Sequence, residues 1–131
     1  NLLGTREPAI YGTRSFEDYL AELRATFSGH TIDLLQSNVE GELIDALQAA
    51  DTDRDGVVMN AAGYTHTSVA IRDTIAGLRI SVVEVHISNI HDREEFRERS
   101  ITGAKCAGVI TGFGLEGYRI AIEHLLRRGA K

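Results

Sequence analysis

The sequence predicts an α/β protein built on a parallel sheet with helices on both faces. Short β-branched runs alternate with amphipathic helical segments, and the connections between them are short. The segment 82–87 adds to this. Val82, Val83, Val85 and Ile87 read as an interior strand, where parallel sheets favour β-branched residues.

Taken in order, Ser15 followed by Asp18 resembles a capping box, and Phe16, Tyr19, Leu20, Leu23 and Phe27 repeat at helical spacing. Thr31-Ile32-Asp33-Leu34-Leu35 reads as a strand. Ser37 with Glu40 is a second cap signal, opening a helix whose apolar face is Leu43, Ile44 and Leu47. Gly56-Val57-Val58-Met59 is a short interior strand. A helix carrying Val69, Ile71 and Ile75 follows, with Thr67 or Ser68 available as its cap, and it stops near Gly77. After the strand at 82–87, residues 94–99 read as one charged helical turn. Val109-Ile110-Thr111 is the last strand, and 115–128 is a closing amphipathic helix with Tyr118, Ile122 and Leu125 inward. In such sheets ligands sit beyond the carboxyl ends of the strands. Asn60, His86 and Ser88 fall there. Asn1-Leu2-Leu3-Gly4 is apolar but too short for a strand, so a first strand is expected ahead of it and is missing from this sequence.

Composition narrows the partners. A net charge of −5, with no basic run, argues against a protein that coats nucleic acid. A small anionic substrate would need a local positive pocket. One cysteine, Cys106, excludes an internal disulfide and a thiolate metal cluster. That cysteine usage, with no membrane-length apolar run and no secretory pattern at the start, leads to the expectation of a cytoplasmic protein without a membrane partner.

Two motifs mislead. Asp51-Thr52-Asp53-Arg54-Asp55-Gly56 matches the opening of a calcium loop, but the twelfth position, which should be a bidentate glutamate, is Ala62. A solvated acidic turn is the expectation. Gly112-Phe113-Gly114-Leu115-Glu116-Gly117 fits G-x-G-x-x-G between a strand and a helix. A dinucleotide site also needs a second strand and an acidic residue about 20 positions on, and only the closing helix follows. These glycines are expected to serve a tight turn and close packing.

Glu84, His86 and Ser88 alternate onto one face of their strand. A carboxylate beside an imidazole fixes its tautomer and raises its basicity, and the imidazole can then move protons near neutrality. Three polar groups on an apolar strand are costly to bury unless each finds a partner. Two other segments bear on the same chemistry. Thr5-Arg6-Glu7-Pro8-Ala9-Ile10-Tyr11-Gly12 puts an arginine near a tyrosine, whose reference pKa of about 10 must fall before it serves as a base. Asn60-Ala61-Ala62-Gly63-Tyr64-Thr65-His66-Thr67-Ser68 turns from a strand into a helix, leaving Asn60 and His66 in the intervening loop.

These segments together resemble the type II 3-dehydroquinate dehydratases over essentially the whole chain. The family's R-E-P-x-x-Y-G loop, N-A-x-x-x-T-H-T-S turn, E-V-H-I-S-N strand end and R-E-x-F-R helix all occur in order, the last as Arg93-Glu94-Glu95-Phe96-Arg97. The resemblance implies a single flavodoxin-like catalytic domain over 1–131, a three-layer parallel sheet, and a dodecamer of four trimers. It implies anti elimination of water from 3-dehydroquinate to 3-dehydroshikimate, in the shikimate pathway, without metal or cofactor. By motif, Tyr11 corresponds to the base, Arg6 to the residue that lowers its pKa, His86 to the general acid and Glu84 to its orienting carboxylate. Asn60, His66 and Arg97 match positions holding the substrate's hydroxyls and ring, and Ile87 and Ser88 the site of its carboxylate. Asp73 matches a residue that reaches a neighbouring subunit's pocket. The departure is at the front, where the family has a first strand and a G-P-N-L whose asparagine binds water.

Two other functions compete. A catalytically inactive oligomeric binding module could use the same fold, but it would need only the carboxylate pocket, and Tyr11, Arg6 and His86 are all retained. Dehydration through a lysine imine would need a buried amine. The lysines are Lys105, just before the last strand, and Lys131 at the terminus.

Overall fold

The structure is a computed structural model and describes residues 15–88 and 100–128. The charged turn expected at 94–99 lies outside them. The chain divides into two compact units, residues 1–36 and 37–131.

In the first unit, helix α1 (Phe16–Thr26) starts at Ser15, whose hydroxyl accepts the Asp18 N–H at 3.1 Å. This is the cap that the sequence spacing predicts. Tyr19, Leu20 and Leu23 are buried along one stripe. The strand expected at 31–35 is not formed. A strand needs a neighbour to take its N–H and C=O groups, and the ladder pairs among the described residues do not include this segment. The Ile32 carbonyl instead accepts Arg24 Nε and Nη2 at 3.0 and 2.9 Å. Leu34 and Leu35 are 47% and 55% exposed, as unpaired chain would leave them.

The second unit runs α2 (Glu40–Asp53), β1 (Gly56–Met59), a 3₁₀ turn (Ala62–His66), α3 (Val69–Gly77), β2 (Ser81–His86), a second 3₁₀ turn (Thr102–Lys105), β3 (Gly108–Thr111) and α4 (Glu116–Arg127). The strands are parallel in the order β1-β2-β3, with Val57 opposite Val82, Met59 opposite Glu84, Glu84 opposite Val109 and His86 opposite Thr111. The central strand is β2, and its last five residues are buried.

Strand alternation then sorts the core into two faces. Val82, with Val57 and Met59, packs against Leu47 of α2 and Ile71 and Ile75 of α3. Val83 and Val85, with Val58 and Ile110, pack against Ala121, Tyr118 and Leu125 of α4. Each fully buried valine or isoleucine stabilises by about 1.5–3 kcal/mol relative to exposure, so the two clusters hold the helices to the sheet. Glu84 and His86 share the side of β2 that faces α2 and α3.

Three local expectations change. Ser37 does not cap α2. Its hydroxyl accepts the Val39 N–H at 3.0 Å, and Glu40 takes the Ser68 hydroxyl at 2.5 Å, tying the start of α2 to the start of α3. Ser68 is itself the cap of α3, accepting the Ile71 N–H at 2.9 Å. Val69 is 55% exposed, because α3 turns the Ile71–Ile75 stripe inward and Val69 lies off it. The acidic stretch is not simply solvated. Asp51 Oδ1 accepts the N–H groups of Arg79 and Ile80 at 2.7 and 3.0 Å, fixing the entry to β2. The Ile80 N–H is the chief reason its carboxyl sits below the usual range.

The glycines after β3 serve packing, as the sequence suggests. Gly112 and Gly114 have φ of 91° and 60°, a region costly for other residues. Their N–H groups bond the carbonyls of His86 and Ile87 at 3.2 and 2.9 Å. A Cβ on Gly117 would lie 2.9 Å from Val85 Cγ1, so α4 sits closer to the sheet than any side chain permits. Gly117→Ala should therefore destabilise the fold by about 1–3 kcal/mol through overpacking, despite alanine's better helix propensity. Urea unfolding checks this; an unchanged midpoint would mean that Val85 yields freely.

Candidate active site

The site begins with a charge placed where water does not reach. Glu84, on the central strand, is wholly buried, and His86, two residues on, is 7% exposed. Their i, i+2 spacing brings Glu84 Oε2 within 2.7 Å of His86 Nε2. Ser100 Oγ donates to the same oxygen at 2.6 Å, and Thr102 Oγ1 donates to Oε1. Burial pushes the Glu84 carboxyl up, but the hydrogen bonds from His86, Ser100 and Thr102 outweigh it and hold it below the ordinary value. A carboxylate only accepts, so Nε2 carries a hydrogen and Nδ1 is the nitrogen left to exchange a proton.

The second wall is the chain leaving β1. Asn60 follows Met59, which lies opposite Glu84 in the sheet. Its Oδ1 accepts the Ala62 N–H at 3.1 Å, while Nδ2 donates to the Tyr118 hydroxyl at 3.0 Å. Ala62 has φ of 52°, a left-handed turn that the Asn60 side chain closes. The 3₁₀ turn then carries His66 back over the sheet end, where its ring stacks toward His86 at a centroid separation of 6.5 Å and an angle of 24°. Burial raises the Tyr118 phenol well above its usual pKa, so it meets Asn60 as a neutral hydroxyl.

The structure thus brings Glu84, His86 and His66 together and sets Asn60 at the same end of the sheet. Ile87 is 9% exposed and Ser88 half-buried, directly beyond β2; the Ser88 carbonyl accepts Thr111 Oγ1 at 3.1 Å. Asp73 is exposed on α3. Arg6, Tyr11 and Arg97 lie outside the described residues. Sequence reasoning missed Ser100, Thr102 and Tyr118 as partners of site residues. The signal for the first two was indirect: a glutamate on an apolar central strand demands donors, and hydroxyls at 100 and 102 follow in the next segment. Nothing local marked Tyr118.

This arrangement can deliver a proton from an oriented imidazole at the carboxyl end of a parallel sheet, next to amide and imidazole groups suited to a hydroxylated ligand. Among the described residues no group of three or more His, Cys, Asp or Glu side chains is placed to hold a metal ion.

Comparison with known proteins bears on the same residues. The family model described as "Dehydroquinase class II" matches residues 1–126. The chain is 50% identical over 131 residues to a 3-dehydroquinate dehydratase of Bacillus pumilus, covering 98% of this chain and 89% of that one. It is 48% identical to a catabolic 3-dehydroquinase of Aspergillus oryzae, covering 95% and 83%. The crystal structure of type II dehydroquinase from Butyrivibrio crossotus superposes with a TM-score of 0.90 at 44% identity, covering 96% and 90%. The fold is accordingly the flavodoxin-like α/β arrangement anticipated from the sequence.

The Glu84 pocket gives a pH test. Because its folded carboxyl lies below the unfolded value of about 4.3, it adds stability that is present above that value and lost as pH falls through the lower folded one. The gap in Tm between the native protein and Glu84→Gln should be widest at neutral pH and close below about pH 4. Melting curves at a series of pH values measure it, and a gap independent of pH would mean that Glu84 is buried neutral.

Proposed function

The chain belongs to the class II dehydroquinase family, and we propose that it performs the anti dehydration of 3-dehydroquinate to 3-dehydroshikimate with the residues assigned below. The observation that carries the assignment is the buried Glu84–His86 pair at the end of β2, with His66 stacked beside it. That the chain is a 3-dehydroquinate dehydratase rests on its family and on relatives of that name at about half identity.

In the proposed scheme Tyr11, ionised with help from Arg6, takes a proton from the carbon next to the ketone. The C–H electron pair forms an enolate. As the enolate collapses it forms the new C=C bond and breaks the C–O bond to the departing hydroxyl, whose oxygen takes a proton from His86 Nδ1 and leaves as water. Glu84 balances the imidazolium that precedes this step. The proton then held by Tyr11 returns to His86 through solvent, so the cycle is redox-neutral and needs no external reactant. Asn60, His66 and Arg97 hold the substrate hydroxyls and ring, and Ile87 and Ser88 receive its carboxylate.

Residues 1–131 serve as one catalytic domain in this scheme, within trimers that assemble to a dodecamer. A cytoplasmic setting in the shikimate pathway fits the free, half-buried Cys106 thiol, which burial and the neighbouring Glu84 charge push up to about 12, a value that leaves it inert. No described helix is long and apolar enough to cross a membrane.

The direct test is an ultraviolet assay for the conjugated enone formed from 3-dehydroquinate. Tyr11→Phe should lower kcat by ~10²–10⁴-fold with substrate binding largely kept, since the ring still packs but the accepting oxygen is gone; near-normal kcat would remove Tyr11 from the role of base.

Asp73 is proposed to act in trans. It lies on α3, exposed and five positions beyond the Ser68 cap. Mixing inactive Asp73→Ala and His86→Ala proteins under conditions of subunit exchange should recover activity, because some pockets then contain both side chains. Absence of activity in demonstrated mixed oligomers would place Asp73 elsewhere.

A further inference from the structure

An imidazole that donates its proton on schedule must keep one tautomer and one orientation, and His86 has a single carboxylate against it among the described residues. That carboxylate, Glu84, has no exposed surface. It can stay ionised and still only if the protein replaces the water it has lost. The replacement comes from the 3₁₀ turn ahead of β3 and the chain just before it. Thr102, also wholly buried, donates its hydroxyl to Oε1, and Ser100 donates to Oε2 at 2.6 Å. The direction of the serine bond is fixed. Ser100 Oγ already accepts the Gly103 N–H at 2.8 Å, so its one proton goes to Glu84. Gly103 lets the turn approach this closely. A Cβ there would lie 2.7 Å from Ser100 Oγ, 2.8 Å from Val109 Cγ2 and 3.0 Å from Glu84 Oε2.

We propose that Thr102 and Ser100 are positioning residues of the dehydratase, holding Glu84 as an oriented carboxylate so that His86 keeps its hydrogen on Nε2 and exchanges protons through Nδ1. Neither hydroxyl touches substrate in this scheme, and the inference rests on the reading of His86 as the general acid. Without the Thr102 hydroxyl, Oε1 is left buried with no donor among the described residues. A carboxyl in that position gains by taking a proton, and a protonated Glu84 can donate to Nε2, which places the imidazole in the wrong tautomer. A comparable tautomer error at an aspartate–histidine pair is known to be catalytically severe.

The test compares Thr102→Val, which keeps shape and loses the hydroxyl, with Thr102→Ser, which keeps the hydroxyl. In the enone assay Thr102→Val should lower kcat by about 10–100-fold, the scale seen when groups that orient metal-bound histidines are removed, with KM little changed. Thr102→Ser should recover most of the rate. ¹⁵N NMR of the imidazoles, above the pH at which they titrate, should report His86 with hydrogen on Nε2 in the native and Thr102→Ser proteins and a mixed tautomer in Thr102→Val. If Thr102→Val fails to fold, Ser100→Ala takes its place and should show the same kcat loss and tautomer change. Native kcat and tautomer in the folded variant would overturn the proposal, as would a Thr102→Ser enzyme no faster than Thr102→Val. A His86→Ala control separates the two readings. If that variant retains activity, the assignment of His86 as acid fails; if it is inactive while Thr102→Val is unaffected, only the present proposal fails.

Discussion

Everything at the functional end of this molecule depends on a carboxylate that the sheet has removed from water. Glu84 lies in the middle of β2, between Val83 and Val85, on the strand that, among the described residues, has a neighbour on each side. An isolated charge in such a place is prohibitively costly, and in most proteins it would neutralise or be replaced. Here its acceptor capacity is met by His86, Ser100 and Thr102. The consequence runs outward in both directions. On one side an imidazole is fixed; on the other the turn before β3 is drawn down onto the sheet until only glycine fits at position 103.

The parallel sheet explains why the remaining groups gather nearby. β2 and β3 end level, with His86 opposite Thr111, and β1 ends two residues earlier, with Met59 opposite Glu84, so the chain leaving β1 turns beside the last residues of β2. The period-two alternation then puts the apolar partners of α4 on one face and Glu84 with His86 on the other. The loop after β3 completes the rim by bonding the His86 and Ile87 carbonyls. Tyr118, carried on α4, reaches the amide of Asn60 beyond the sheet end. Asn60 is held at both ends of its amide while remaining exposed. It can therefore offer a second amide hydrogen and a second lone pair to a hydroxylated ligand without reorganising.

What was legible in the sequence follows from how local each signal is. β1 and α4 were readable because their apolar patterns agree with their final packing, α3 through its Ile71 and Ile75 stripe, and the Ser15 and Ser68 caps because a cap is decided within three residues. The four motifs that named the family are likewise short and contiguous. The failures are all of longer range. Residues 31–35 have strand composition, but a strand is a statement about a neighbour, and composition cannot supply one. Glu40 looked like part of a capping box until Ser68, 28 residues away, claimed it. Asp51 looked like a solvated turn because its partners, the N–H groups of Arg79 and Ile80, belong to a different loop. Ser100 and Thr102 were marked only indirectly for the same reason: their meaning is given by Glu84, on β2.

The two ends of β2 also separate two chemistries that could remove the same water. A lysine imine requires an amine beside the substrate ketone. Lys105 instead lines a cleft of about 410 Å³ with Ser81, Val82, Cys106 and Arg128, at the start of β2. His86 is the last residue of that strand, five steps from Ser81. At about 3.3 Å per residue, Ser81 and His86 lie roughly 16 Å apart along the strand. Lys105 thus lines the end of β2 away from His86, whereas the Glu84–His86 pair lies toward its carboxyl end. The proposed route accordingly assigns the proton delivery to that pair and draws on an enolate rather than on an imine at Lys105.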